Sequence, residues 1–363
     1  MSKAHHGRKR RTVMTHVGEV GVSRVYFRCV QCELGEYPLD ERLGIDGRYS
    51  PAARKLICLS AASWSFDVSS ERLEEFCGLS VSDTTIREVA QKQGSDMLKW
   101  QREEFAAIEE FREAEGDVEF TTDGTSVNTT DGWRETKVAI FSKRERGESA
   151  SPDEWDSRTL PKPQGCIAFA AIEKSDRFGR RWNAWKKRLG LTDASSVTVL
   201  ADGAKWIWEE QRKHLTHAEG VLDIFHAWQH VAETAKVVYP EKNQADAWTE
   251  STRTALLERG WDGIEERITN ALADTQSPTA RKSLTGLRSY FEPHQNHLNY
   301  GERLAEGRSI GSGQIEGACK NLIGRRLKQT SARWRIQRLN RMAGLCSIMY
   351  SNQWNPYWKS LNT

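Results

Sequence analysis

The chain has 363 residues, of which 38% are hydrophobic, so it is long enough for two or three domains with a substantial core. Its seven cysteines, an odd number spread over the whole length, argue against a disulfide framework and for reduced thiols. Since the sequence has neither an apolar run of membrane length nor a signal peptide, we expect a cytoplasmic protein without a membrane partner.

The net charge of +3 conceals two basic ends. Residues 1–28 hold seven Lys and Arg against one acid, and residues 317–363 hold nine Lys and Arg and no acid. Separate basic patches favour contacts with nucleic-acid phosphates, and solvated surface charge is the alternative. The residues of these ends that we expect to contact DNA are Arg8, Lys9, Arg10, Arg11, Lys320, Arg325, Arg326, Lys328, Arg333 and Arg335.

Residues 1–45 are predicted to form a basic arm followed by short strands, in a fold like a zinc knuckle. Cys29 and Cys32 make a Cys-x-x-Cys pair, which is half of a zinc ribbon. A bound Zn²⁺ is one interpretation, and two ordinary thiols are the alternative. The nearby histidines that could complete a tetrahedral site are His5, His6 and His16.

Residues 46–116 are predicted to be helical. A helix that ends at Gly78, a tight turn and a helix capped by Ser82 form a helix-turn-helix pattern, which is typical of DNA-binding regions. The capped helix is predicted to end at Gln93, before a separate linker helix. An ordinary helical hairpin is the alternative, and it is favoured by the acidic excess of residues 40–119. The side chains expected to face DNA are Arg87 and Lys92.

Residues 117–230 are predicted to form a mixed α/β core. Three successive strands are followed by a helix, a strand, a helix and a strand, which is a ribonuclease-H-like order. The predicted strands are 118–123, 133–142, 166–172, 197–201 and 220–225, and the predicted helices are 177–190 and 204–214.

Three carboxylates mark the candidate active site. Asp123 and Asp202 each end a predicted strand, and Glu316 lies near the start of a late helix, predicted at 312–327. Carboxylates are hard oxygen ligands for Mg²⁺ or Mn²⁺, and three of them suit a two-metal site for phosphoryl transfer in which one acid bridges both ions. Turn chemistry of Asp-Gly and complementation of a helix dipole are the structural alternatives.

Two further features accompany the acids. Asp223 and His226 form an Asp-x-x-His element after the fifth strand, in which Asp223 could orient His226 near the site. The spacing from the second acid to the third, 316−202 = 114, is too long for one connecting helix. We therefore predict a helical insertion of about four helices at 231–310, before core-completing helices with a basic end at 311–363.

These residues resemble a DDE-type bacterial insertion-sequence transposase of the Mutator-like group with a helical insertion, in its Kra-type subgroup. The resemblance covers nearly the whole chain, and its specific parts surround Asp202 and Glu316. The stretches that carry it are 27–32, 37–44, 122–125, 200–208, 223–226, 311–317, 324–328 and 333–334.

The resemblance implies that Asp123, Asp202 and Glu316 bind the metal ions, and that Asp223 and His226 match a supporting element of the group. The reaction would be hydrolysis at a transposon end, followed by attack of the freed 3′-hydroxyl on target DNA. The implied partners are double-stranded DNA and at least one further copy of the chain. An upstream cysteine pair, expected from the resemblance, is absent. This suggests a late start of the chain, through truncation or a misplaced start, and leaves zinc binding and end recognition open.

Three other functions remain compatible with the sequence. A ribonuclease-H-like nuclease or resolvase without strand transfer would have the same acids. A DNA-binding remnant of a transposase would keep the fold without the chemistry. A glycosidase with paired carboxylates would not explain the basic ends.

Overall fold

The structure, a computed structural model, describes residues 3–191 and 197–361. The protein is of the mixed α/β class, with a three-stranded sheet, a five-stranded mixed sheet and many helices. Its internal contacts divide the chain into two compact units. The first unit comprises Met1–Ala107, Ser126–Arg134 and Lys320–Thr363, and the second comprises Ile108–Thr125 and Glu135–Cys319.

The first unit begins with an antiparallel sheet of strands β1 (Lys3–Thr15), β2 (Gly18–Cys29) and β3 (Gly35–Glu36). The predicted basic arm is therefore part of β1, which is longer than the short strands expected from the sequence. Its basic residues pair along β2, with Arg8 opposite Val25 and Arg11 opposite Val22. Pairing with β2 thus gives a regular structure to the N-terminal segment, which its basic composition alone predicted to be an arm.

The helices of the first unit include the predicted helix-turn-helix pattern. Gly78 adopts a left-handed φ of 62° after the first helix, and the Ser82 hydroxyl accepts a hydrogen bond from the Thr85 N–H at 3.3 Å. The capped helix does not end at Gln93, because Gly94 lets it pass within contact distance of the Arg341 carbonyl. The α-helices of this unit are α1 (Pro38–Arg42), α2 (Pro51–Ser63), α3 (Phe66–Cys77), α4 (Asp83–Glu103), α13 (Arg325–Leu327), α14 (Ile336–Tyr350) and α15 (Trp354–Ser360), with a 3₁₀ turn at Phe105–Ala107.

The second unit contains the five-stranded sheet, in the order β6-β5-β4-β7-β8. Strand β7 runs parallel to both β4 and β8, and β6 runs antiparallel to β5. The predicted strand at 197–201 is confirmed at both ends. The strands are β4 (Asp117–Thr129), β5 (Gly132–Arg144), β6 (Gln164–Ala171), β7 (Val197–Ala201) and β8 (Glu219–Leu222).

Two strand ends differ from the prediction. Strand β4 does not end at Asp123, because it stays beside β5 as far as Thr129 and pairing overrides the turn preference of Asp-Gly. Strand β8 ends at Leu222 rather than at residue 225, because the next residue caps a helix instead of continuing the ladder. The first acid is therefore inside a strand, whereas the Asp-x-x-His element starts a helix.

The helices of the second unit include those predicted for the insertion. Helix α9 contains the break expected at Gly260, where φ is 55°, and α8, α9 and α10 pack together. The late helix predicted at 312–327 is divided by a π-helical turn at Cys319–Gly324. The linker helix predicted at 95–115 is not a separate helix: residues 95–103 continue α4, and the short α5 follows. The α-helices are α5 (Glu109–Glu113), α6 (Ser175–Arg188), α7 (Lys205–His214), α8 (Ile224–Val238), α9 (Lys242–Asp274), α10 (Pro278–Phe291), α11 (Tyr300–Ala305) and α12 (Gly313–Ala318), with 3₁₀ turns at Pro152–Glu154 and Glu292–His297.

The core of the second unit extends from the sheet and α6 into the inserted helices α8, α9 and α10. The ring of Phe120 on β4 is 4.6 Å from that of Phe141 and 4.9 Å from that of Trp182, which is fully buried. These aromatic contacts fix the strand that carries the first acid. Within the described residues, every helix is too short or too polar to cross a lipid bilayer.

Candidate active site

Strand register brings Asp123 and Asp202 to the same edge of the five-stranded sheet. Thr121 of β4 pairs with Leu200 of the parallel strand β7, and each aspartate lies two residues beyond its member of this pair. Neighbouring strands lie about 4.8 Å apart, so continuation of the register places the two aspartates side by side. The sequence predicted both acids, and the parallel pairing explains how residues 79 positions apart (202−123) meet.

Asp202 occupies the short connection between β7 and α7. Its carboxylate accepts a hydrogen bond from the Ala204 N–H at 2.9 Å, and its carbonyl accepts one from the Trp208 indole at 2.8 Å. The start of α7 also presents the positive end of a helix dipole to this acid. The backbone and an aromatic side chain thus hold Asp202 in place and leave part of it exposed.

Asp123, like Asp202, is partly buried. Its carboxylate accepts the Gly124 N–H at 2.6 Å, and the Cys319 thiol lies 3.8 Å from its second oxygen. Burial raises the pKa of Asp123, and the negative charge of Asp202 raises it further. The two acids therefore repel each other, and a cation between them would relieve that repulsion.

Asp223 and His226 form a pair at the start of α8, in which the aspartate is buried and the histidine is partly exposed. The Asp223 carboxylate, which is fully buried, accepts the backbone N–H groups of His226, at 2.8 Å, and of Ser312. It also lies 3.1 Å from Nδ1 of the His226 ring. The hydrogen bond with Asp223 raises the pKa of His226 to about 9, with further contributions from Asp202 and Glu316. His226 is therefore a cation at neutral pH and faces the acids.

Glu316 lies in the first turn of α12 and is half-buried. Its charge contributes to the raised pKa of His226, so the histidine interacts electrostatically with both Asp202 and Glu316. The Ser312 N–H that precedes α12 bonds to Asp223, which ties the start of this helix to α8. The five residues predicted for the site are thus linked by hydrogen bonds or electrostatic interactions.

These side chains are of the types that bind a hard divalent cation, but their arrangement is not that of a metal site. Aspartate and glutamate supply the oxygen ligands that Mg²⁺ and Mn²⁺ prefer. Among the described residues, however, no group of three or more His, Cys, Asp or Glu side chains has an arrangement that could hold a metal ion. Asp123 and Asp202 form an electrostatically coupled pair, and Glu316 interacts with His226.

Sequence reasoning missed two side chains of this edge. Tyr290 of α10 packs so closely on Gly203 that a Cβ there would lie 2.5 Å from its ring. The glycine is therefore needed for the close approach of this helix. Burial raises the pKa of the partly buried tyrosine, and the negative charge of Asp202 raises it further. Glu135 of β5 is packed on Gly124 in the same way. Only the glycine after each aspartate could have signalled these contacts.

The residues predicted to contact DNA lie in the first unit and differ in exposure. Arg326 is buried, with its guanidinium stacked over the rings of Phe66 and Trp334, and Lys92 pairs with Asp46. Arg11, which lies 3.5 Å from Asp40, and Arg87 are partly buried. The remaining predicted contacts are exposed: Arg8, Lys9, Arg10, Lys320, Arg325, Lys328, Arg333 and Arg335.

The Cys-x-x-Cys pair lies at the end of β2. Cys29 is buried, Cys32 is exposed, and hydrogen bonds from the backbone of Cys32 and Gln31 and from the Cys32 thiol lower the pKa of Cys29. A lowered thiol pKa favours the thiolate that binds metals. In the described part of the chain no histidine completes a group of three ligands with this pair, so these residues do not form a closed zinc site.

A known protein family matches almost the whole chain. Residues 4–353 match the model of the Uncharacterised protein family (UPF0236), and the chain therefore belongs to that family. No curated protein matches the sequence.

Proposed function

We propose that this member of the UPF0236 family is a DDE-type DNA transposase with a ribonuclease-H-like catalytic core. The observation that supports the proposal most directly is the register that sets Asp123 beside Asp202, with Glu316 in electrostatic contact through His226. The strand order, with three strands in sequence followed by two parallel strands each reached through a helix, agrees with that core. The basic, acid-free C-terminal segment agrees with a DNA substrate.

In this proposal Asp123, Asp202 and Glu316 would hold Mg²⁺ or Mn²⁺. When bound, such ions lower the pKa of a water molecule and stabilise charge on the attacking and leaving oxygens of a phosphodiester. The raised pKa of Asp123 means that a nearby cation would stabilise its charged form. The protonated His226, oriented by Asp223, would stabilise a phosphate oxygen near Asp202 and Glu316.

A DNA-binding remnant without chemistry is the second candidate. It is favoured by the arrangement of the acids, since no three metal-ligating side chains of the described residues are grouped around one point. In that case the carboxylates would be the remains of an ancestral active site, and neither Mg²⁺ nor Mn²⁺ would bind them. A direct measurement of metal binding separates the two candidates.

The decisive comparison is between the wild type, Asp202→Asn and Asp246→Asn. Asp246 is an exposed acid of α9 whose ion pair with Lys242, at 2.7 Å, should contribute little to stability. Thermal unfolding with and without Mn²⁺ should show a metal-dependent rise in Tm for the wild type and Asp246→Asn, and none for Asp202→Asn. A wild type whose Tm does not respond to millimolar Mn²⁺ or Mg²⁺ would favour the remnant.

The matching activity assay uses a supercoiled plasmid that carries the DNA flanking the gene. With Mg²⁺, the wild type should nick or cut the flanks, and Asp202→Asn should be slower by about a hundredfold or more, because a metal site supplies several kcal/mol of transition-state stabilisation. Joining of the freed ends to a second plasmid distinguishes a transposase from a nuclease that lacks strand transfer. Equal cleavage by wild type and Asp202→Asn would refute the assignment of this acid.

A further inference from the structure

A second concave site lies entirely within the first unit. It is a cavity of about 570 Å³ between the start of α3, the first turns of α4, and the loop 329–335 that leads into α14. Its volume is within the range of small-ligand sites in proteins. We call it the arginine pocket, after the residues that line it: Arg87, Arg326, Arg333, Arg335 and Arg338.

The arginine pocket is strongly positive. The lining contains five arginines and two acids, Asp67 and Asp83, so its formal charge is 5 − 2 = +3. Helix α14 begins here, with Arg335 in the N-cap position and no side-chain cap, so its positive end adds to the field. A pocket of this charge is suited to a phosphate group.

Two buried polar atoms of the lining lack a hydrogen-bond partner among the described residues. Arg326 is 3% exposed; its Nε donates to the Ala61 carbonyl, but its Nη2 has no acceptor. Gln91 is 7% exposed; its Nε2 donates to the Arg338 carbonyl at 3.0 Å, but its Oε1 has no donor. Buried polar groups in proteins are nearly always paired, so a ligand that offers both functions would satisfy this donor and this acceptor once either side chain turns towards the cavity.

The aromatic wall of the arginine pocket is rigidly held. The guanidinium of Arg326 lies 4.6 Å from the ring of Phe66 and 5.0 Å from that of Trp334. The Trp334 backbone bonds to the hairpin tip, to the Thr130 N–H at 2.9 Å and the Asn128 carbonyl at 3.2 Å, and its indole donates to the Leu327 carbonyl at 3.0 Å. The pocket is therefore formed before a ligand binds.

We propose that the arginine pocket binds one unpaired nucleotide, with its phosphate among the arginines and the edge of its base against Gln91 and Arg326. A nucleobase edge carries the donor and the acceptor that these two side chains require. In a duplex the pairing edges are occupied, so the nucleotide must be unpaired or extruded. The inference rests on the proposed function, because it names the part of a DNA substrate that this unit would hold; a free mononucleotide offers the same chemistry.

The experiment compares the wild type with Arg87→Ala and a matched variant, Arg102→Ala. Both arginines are on α4, but Arg102 is exposed and does not line the pocket. Alanine is favourable in a helix, so both variants should fold, which thermal unfolding checks. A second variant, Arg335→Ala with Arg338→Ala, tests the start of α14. Binding is measured by fluorescence anisotropy, without Mg²⁺, to a blunt duplex, the same duplex with a five-nucleotide overhang, and an overhang whose bases are removed.

The wild type and Arg102→Ala should bind the overhang about tenfold or more tightly than the blunt duplex, and the abasic overhang should lose most of that preference. Arg87→Ala and the double variant should lose the preference for the overhang over the blunt duplex. Their affinity for blunt DNA should stay within about threefold of the wild-type affinity for each arginine removed. Competition by millimolar dAMP would identify a free nucleotide as the occupant; lack of competition would identify a strand. A wild type without preference, or an equal loss in Arg102→Ala, would overturn the proposal.

This outcome is independent of the cleavage assay. Overhang preference without cleavage would retain the arginine pocket and refute the transposase chemistry. Cleavage without overhang preference would do the reverse.

Discussion

The pair formed by Asp223 and His226 gives the most precise prediction of the structure. Asp223→Asn preserves shape but removes the negative charge and replaces one acceptor oxygen with a donor. The native carboxylate accepts the backbone N–H groups of His226 and Ser312 and faces the His226 ring at 3.1 Å. The variant can accept at only one position, so at least one buried N–H group loses its partner.

The size of the effect follows from the pKa of His226. The rise from the ordinary value of 6.5 to about 9 spans about 2.5 pH units, which at 1.36 kcal/mol per unit corresponds to about 3.4 kcal/mol. The imidazole is 36% exposed, and solvent screening reduces this upper value to about 1–2 kcal/mol. Loss of the backbone hydrogen bonds adds about 1.5–3 kcal/mol. We expect Asp223→Asn to lower the free energy of unfolding by about 3–4 kcal/mol at pH 7.

The sign of the pH dependence follows from the raised pKa. The contribution of His226 is fully present below pH 6.5 and is lost as pH rises through about 9. Urea unfolding at pH 7 and pH 10 should therefore show the stability difference between wild type and Asp223→Asn shrinking by about 1–2 kcal/mol. NMR titration should show the His226 pKa falling from about 9 towards its ordinary value of 6.5 in the variant. His226→Gln, which cannot titrate, should show no such pH dependence. A His226 pKa that stays near 9 in Asp223→Asn would refute the reasoning.

Two further substitutions test packing and pairing. Gly94→Ala should destabilise the protein by about 1–3 kcal/mol, because the new Cβ would lie 2.3 Å from the Arg341 carbonyl. Gly286→Ala, a control in open space on another helix, should instead stabilise the protein by about 0.5–1 kcal/mol. Urea unfolding that ranks the two variants in the opposite order would contradict the packing of α4. Glu219→Gln should cost about 3 kcal/mol at pH 7, because it leaves Arg303, 1% exposed and 2.7 Å away, without its counter-ion. The pKa of Glu219 is lowered, so this loss should vanish as pH falls below 4.5 through the folded-state value, and unfolding curves that stay parallel down to pH 3 would contradict it.

Local patterns in the sequence were sufficient to predict most elements. The uninterrupted apolar run before Asp202 predicted β7 to the residue, and the Ser82 cap and the Gly78 terminus were both found. These features depend on backbone preferences and hydrogen bonds between residues close in the chain. The breaks in the helical insertion were predictable for the same reason, since glycine and proline act locally.

The misplaced ends have a common physical cause. Asp-Gly favours a turn, but the pairing of β4 with β5 continues past Asp123, and Gly94 permits close helix packing instead of ending α4. In both cases contacts with another element, the neighbouring strand or a helix distant in the chain, outweigh a local preference of about 1 kcal/mol. Such contacts are not encoded in any short window of sequence.

The sequence by itself determined which acids stand in the candidate site, since their residue types, their spacing and the strand before Asp202 are all local. Only the tertiary structure decided which of them meet: parallel pairing aligns Asp123 with Asp202, and burial together with their mutual repulsion raises the pKa of Asp123. It also decided that basic residues from α4 and from the C-terminal segment line one pocket. Proximity across the chain depends on register and helix packing, which are collective properties of the folded molecule.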